Sequence, residues 1–235
     1  MEKRYLIRIL RCSILFSSAL ILLAARIYPL FDYDYIEYVR ITNRIPLAYL
    51  TNICAVESIL LFTFGAINLI LKSFIKDNHI INMSVWIYYK LISDLLSLNI
   101  TMSFGYWYLM FYDPDLVAGT NKDVDFKGNA FFSFADHTLP PIVNLIEAYF
   151  VRARFTISSI IVGLKMGVAY FTHIAIVHHL KGQWPYKLFN GKSYPMVFVY
   201  VIIYLAIGTF GAFLCLYLFK KIQKSQTDQN PHRNM

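Results

Sequence analysis

Residues 47–71 read LAYLTNICAVESILLFTFGAINLIL, and they contain a single charged side chain, Glu57. A helix needs about 20 predominantly apolar residues to cross the roughly 30 Å of hydrocarbon in a bilayer, because each residue adds about 1.5 Å. Pro46 stands just before the run, at a position where the missing N–H of proline costs a helix nothing. The run therefore predicts a membrane-spanning helix.

Five further apolar runs of the same kind occur along the chain. They are residues 7–28, 85–111, 131–151, 156–178 and 196–219. With 57% hydrophobic and 15% charged residues, the chain has more apolar surface than a soluble domain of this length can cover. We predict an all-α polytopic helix bundle with about six transmembrane helices. It would form one domain over residues 1–224, followed by a polar cytoplasmic tail at 225–235.

The basic residues lie mainly at the ends of the apolar runs, and they predict an orientation. Cytoplasmic loops retain Lys and Arg, which places residues 3–11, 72–76, 152–154 and 220–224 on one side. Both termini would then be cytoplasmic, in a multi-pass protein of the endoplasmic reticulum or plasma membrane. The net charge of +8 is not arranged as a stripe between exposed aromatics, so the expected partner is the bilayer and not nucleic acid.

The first apolar run has a second interpretation. Lys3, Arg4, Arg8 and Arg11 stand before the apolar stretch from Cys12 to Ala25, and a basic region followed by a short apolar region is also typical of a cleaved signal peptide. The sequence leaves this alternative open.

Polar side chains inside the apolar runs are costly, so each is a candidate functional group. The second and fourth runs both enter from the outer face, which places Thr51 and His137 roughly 6 and 9 Å below that face. His178, His179 and Trp184 follow the outward end of the fifth run. These groups would share one layer, which predicts a site that opens toward the outer leaflet.

Four short motifs carry a resemblance to a known family. They are Tyr49-Leu50-Thr51, Trp107 six residues before Asp113, His137-Thr138 with Glu147 ten residues after the histidine, and His178-His179 with Gly182, Trp184 and Tyr186. In this order and spacing, over roughly residues 47–190, the chain resembles the androgen-induced, FAR-17a-like membrane proteins, which include the androgen-dependent TFPI-regulating protein.

The resemblance implies an integral membrane hydrolase that cleaves fatty acid esters of hydroxy fatty acids, with a lipid as substrate. Thr51 would be the nucleophile, and His137 the base that a weakly nucleophilic hydroxyl requires. The predicted substrate-binding or supporting residues are Asn52, Asp136, Asn144, His178, His179 and Trp184. Asn52 stands where an apolar residue is usual, Asp136 precedes the histidine, and the proline near Trp184 is shifted to Pro185. These departures leave the preferred ester open.

Two other functions compete with this interpretation. His137, His173 and His178 could be axial ligands of a haem in an electron-transfer protein. A small transporter is a further alternative, although no pair of interrupted helices in corresponding halves supports it. Its relay near the membrane midplane would consist of Glu57, Lys90, Asp94 and Lys165. Cys12, Cys54 and Cys215 are too few and too far apart for a zinc cluster, so neither a metal site nor a cofactor is predicted.

Overall fold

A computed structural model describes residues 2–31, 36, 49–75, 78–113 and 130–229. The helices are α1 (Glu2–Ile27), α2 (Leu50–Phe74), α3 (His79–Tyr112), α4 (Ala130–His137), α5 (Leu139–Phe150), α6 (Ile157–Lys181) and α7 (Tyr194–Gln229). Short 3-10 turns occur at Tyr28–Phe31 and Lys187–Phe189. The described residues contain no strand, and the prediction of an all-α helical bundle is confirmed. Pro46, Lys76 and the tail beyond Gln229 lie outside them.

Among the described residues, four helices are long and apolar enough to cross a membrane by length and composition. They are Tyr5–Ile27 within α1, Leu50–Phe74, Ile157–Lys181 and Tyr194–Gln223 within α7. The third predicted span falls within α3, whose 34 residues reach about 51 Å at 1.5 Å per residue. Large apolar side chains cover the outside of the bundle, and Phe74 and Phe111 are 82% and 85% exposed. Such a surface is suited to lipid and not to water.

The fourth predicted span consists of two short helices separated at Thr138. Pro140 and Pro141 lie in the first turn of α5. Because prolines lack an N–H, the carbonyls of Asp136 and His137 lose the donors that a continuous helix would supply four residues later. The chain therefore ends α4 at His137 and starts a new helix at Leu139.

Helix α3 is the centre of the bundle, and it packs against α2, α5, α6 and α7. Its contact with α7 depends on Gly208, because a Cβ at this position would lie 2.7 Å from the Ser97 carbonyl oxygen and would overlap the Thr101 hydroxyl. The missing side chain lets the two backbones approach closely, as small residues do in other membrane helices.

A buried ion pair ties α1 to α5 in the half of the bundle that we predict to be cytoplasmic. Arg11 donates through Nε to Glu147 Oε1 at 3.0 Å and through Nη2 to Glu147 Oε2 at 2.6 Å. Tyr88 donates to the same Oε2 at 3.0 Å. Glu147 is completely buried, and these three bonds keep its carboxylate satisfied.

Lys90 and Asp94 of the transporter alternative have separate partners. Asp94 accepts a hydrogen bond from the Ser159 hydroxyl at 2.9 Å, and the Lys90 ammonium lies 5.9 Å from the centre of the Trp86 ring. Both partners give these charges a structural role on α3.

Candidate functional site

A cavity of about 280 Å³ lies among the ends of α2, α3, α4, α6 and α7 that we predict to be outermost. One part of its wall carries the polar groups Thr51, Asn52, Asp136 and His137, and five tyrosines contribute as well. These are Tyr49, Tyr106, Tyr170, Tyr186 and Tyr204. Leu98, Met102, Leu188 and Leu205 are among the apolar lining residues. A concave, mostly apolar site with a few convergent polar groups is typical of ligand pockets.

Thr51 lies in the first turn of α2, and a tyrosine hydroxyl fixes that turn. The backbone N–H of Leu50 donates to the hydroxyl of Tyr186 at 3.1 Å. The same hydroxyl interacts with the side chains of Tyr170 and Thr51. Burial raises the pKa of the Tyr186 phenol above its ordinary value, so this group remains protonated at neutral pH. A neutral hydroxyl therefore contacts the threonine at the start of the helix.

His137 is the last residue of α4, and its ring is held on two sides. It stacks on Tyr106 with ring centroids 3.3 Å apart and planes 7° apart. Its Nδ1 lies 3.2 Å from the sulfur of Met102. A thioether sulfur can only accept a hydrogen bond, so this contact suits the tautomer that carries the hydrogen on Nδ1 and the lone pair on Nε2.

Arg26, in the last turn of α1, contacts the sequence neighbours of both candidate catalytic residues. Its Nη1 donates to Oδ1 of Asn52, which follows Thr51. Its Nη2 forms an ion pair with Oδ2 of Asp136, which precedes His137. Asp136 is buried, and its Oδ1 has no hydrogen-bond partner among the described residues. One guanidinium therefore joins α1, α2 and α4 beside the cavity.

Asn144, His178, His179 and Trp184 do not line this cavity. Asn144 is completely buried in α5, and neither atom of its amide has a hydrogen-bond partner among the described residues. His178 stacks on Trp184 with ring centroids 4.1 Å apart, and its Nδ1 lies 2.9 Å from the Tyr194 hydroxyl. His179 is exposed. The predicted supporting residues thus divide into a pair at the cavity, Asn52 and Asp136, and a group away from it.

The turn after α6 explains the position of the His178 group. Gly182 has a φ of 70°, a left-handed conformation that glycine adopts without strain. The chain reverses there, so Trp184 returns to cover the ring of His178 on the last turn of α6. These residues therefore close the end of α6 and do not reach Thr51.

Sequence reasoning missed several contributors to the site, among them Arg26, Met102, Tyr106 and Tyr170. All four lie inside predicted spans, and none is among the candidate site residues of the sequence. The sequence offers one signal for Arg26, because counting residues along the first apolar run places this arginine in the last turn of the helix, at the outer face.

A family model described as FAR-17a/AIG1-like protein matches residues 12–223 of the chain. The matched region includes every residue that lines the cavity as well as Arg26. No curated protein and no solved structure gives a match.

Proposed function

Because the chain belongs to the FAR-17a/AIG1-like family, we propose that it is a membrane hydrolase that cleaves fatty acid esters of hydroxy fatty acids. The observation that carries this proposal is that Thr51 and His137, which lie 86 positions apart in the sequence, line one cavity. The cavity holds a hydroxyl, an imidazole and a largely apolar wall. Those are the components that hydrolysis of an apolar ester requires.

The proposed reaction has two stages. In the first, the Thr51 oxygen attacks the ester carbonyl while Nε2 of His137 takes the hydroxyl proton. The carbon–oxygen bond to the alcohol then breaks, the imidazolium returns the proton to the leaving hydroxy fatty acid, and the fatty acid remains esterified to Thr51. In the second stage, water attacks that ester with the help of His137, which releases the fatty acid and restores the threonine.

The substrate enters from the lipid in this proposal. The ester would lie near the headgroups, within about 10 Å of the outer or lumenal interface, and its acyl chains would lie among the helices. The apolar lining residues and the lipid-facing surface of the bundle support this route. The bilayer is therefore both the solvent of the protein and the source of its substrate.

The test of the proposal is ester cleavage by the purified protein in lipid vesicles. We expect a fatty acid ester of a hydroxy fatty acid to yield equal amounts of fatty acid and hydroxy fatty acid. An absorption spectrum of the same sample addresses the haem alternative. A Soret band in a sample that cleaves no ester would reject the hydrolase.

Tyr186→Phe is expected to lower kcat by roughly 10- to 100-fold, because it removes a hydroxyl that contacts Thr51 and keeps the ring. The aromatic contacts of Tyr186 with Tyr49 and Phe189 remain possible, so folding should be preserved. The measurement is the kcat of ester hydrolysis in vesicles.

The matched control for Tyr186 is Tyr200→Phe. Tyr200 packs against the same Phe189 ring from α7, at 6.3 Å between ring centroids, but it does not line the cavity. Equal rates for Tyr186→Phe and Tyr200→Phe would assign the Tyr186 hydroxyl no part in the reaction.

The second prediction concerns the orientation of the protein in the membrane, and it rests on the distribution of the basic residues. With both termini cytoplasmic, a cysteine placed at Asp123 should react with a membrane-impermeant thiol reagent only from the lumenal or external side of sealed vesicles. A cysteine at Lys76 should react only from the cytoplasmic side. The two positions lie outside the described residues. The reverse pattern would invert the protein and move the site to the cytoplasmic leaflet.

A further inference from the structure

The contacts of Arg26 differ from those of Arg11, which is the buried arginine of α1. Arg11 gives two donors to a single carboxylate, Glu147. Arg26 divides its donors between Asn52 on α2 and Asp136 on α4. A guanidinium that holds one carboxylate fixes one helix to another, whereas a guanidinium with two acceptors on different helices also fixes the separation of those helices.

The two acceptors stand next to the two residues of the proposed chemistry. Asn52 is bonded through its backbone to Thr51, and Asp136 to His137. A displacement of α2 relative to α4 would therefore change the distance between the Thr51 hydroxyl and the His137 ring. Reaction rates are sensitive to such displacements, since a shift of about 1 Å costs about 100-fold.

The chemistry of the guanidinium also orients the Asn52 side chain. Arginine only donates hydrogen bonds, so the amide atom that faces Arg26 is the oxygen and the Nδ2 amino group points elsewhere. Asp136 depends on Arg26 as well, because the carboxylate is buried and its Oδ1 has no partner among the described residues.

We propose that Arg26 is a positioning residue that sets the separation of Thr51 and His137 by holding Asn52 and Asp136. The proposal rests on the function proposed above. It makes α1 a part of the site, although none of the side chains described in that helix lines the cavity. It also gives Asn52 and Asp136, two of the three departures from the family pattern, a shared role.

The test compares Arg26→Gln with Arg11→Gln, and Thr51→Ala is assayed in parallel. We expect Arg26→Gln to lower kcat by about 100-fold with little change in KM, because the substrate cavity is intact and the reacting groups are displaced. Arg26→Lys should recover only part of kcat, since an ammonium keeps the charge but lacks the planar fork. Arg11→Gln should lower the unfolding temperature and leave the kcat of the folded protein unchanged.

Arg26→Gln leaves a buried carboxylate without its cation, so a double variant, Arg26→Gln with Asp136→Asn, separates folding from positioning. We expect the double variant to regain the unfolding temperature of the wild type and to retain the low kcat. Recovery of both would overturn the proposal, as would wild-type kcat in Arg26→Gln when Thr51→Ala is inactive. Full activity of Thr51→Ala would instead reject the proposed function itself.

Discussion

Replacing Thr51 by alanine is expected to lower ester hydrolysis by at least about 10⁴-fold, because it removes the oxygen that attacks the ester carbonyl. The side chain loses only a hydroxyl and a methyl group from the first turn of α2, and it is half-buried in the structure. Expression and membrane insertion should therefore be unchanged. The measurement is product release in vesicles, together with labelling by a lipid-like fluorophosphonate.

Two further variants are controls for Thr51→Ala. Thr51→Ser keeps the hydroxyl and should retain hydrolysis within about tenfold of wild type. Thr63→Ala removes the same group from the same helix, three turns further from the cavity, and should leave hydrolysis unchanged. Substantial turnover by Thr51→Ala would reject Thr51 as the nucleophile.

The helices were predictable from the sequence because a bilayer imposes a minimum length on each apolar run. Each of the six predicted runs overlaps one helix or, at 131–151, a pair of helices. In the sequence, Pro140-Pro141 indicates the break between α4 and α5, but the hydropathy pattern alone does not reveal it. The last helix continues to Gln229, five residues into the predicted tail, because polar residues also form helices beyond a membrane.

For the candidate site, the sequence predicts only how deep its residues lie in the membrane. Counting residues from the outer face placed Thr51 and His137 in one layer, and the structure has both on the wall of one cavity. Depth does not specify which way a helix is rotated. His178 and Trp184 share the predicted layer yet pack against each other at the end of α6, and Asn144 is buried away from the cavity.

Arg26 shows why the remaining part of the site needed the structure. A basic residue at the end of an apolar run usually marks topology, and only its place at the outer end of a span distinguishes Arg26 in the sequence from Arg152 and Lys220. The distinction arises when α1, α2 and α4 pack and their ends bring Asn52 and Asp136 to one guanidinium. The Arg26 contacts also bear on the signal-peptide alternative, since cleavage of the first segment would remove this guanidinium from the site.

His137→Ala is expected to abolish both hydrolysis and fluorophosphonate labelling, because the Thr51 hydroxyl then keeps its proton at neutral pH. The geometry that supports this role is the contact of Nδ1 with the Met102 sulfur, which suits the tautomer with its lone pair on Nε2. The substitution empties the space beside Tyr106, so His137→Gln, which fills more of it, should accompany the alanine variant. The unfolding temperature of each variant separates lost chemistry from lost packing.

The matched control is His178→Ala, which removes a second imidazole from the same end of the bundle. His178 is held by Trp184 and Tyr194 and does not line the cavity, so its loss should leave labelling near the wild-type rate. If His137→Ala and His137→Gln are labelled as fast as wild type while folded, His137 is a packing residue and another group removes the proton. If only His178→Ala loses labelling, the base lies at the end of α6, and the cavity identified around Thr51 is not where the ester is activated.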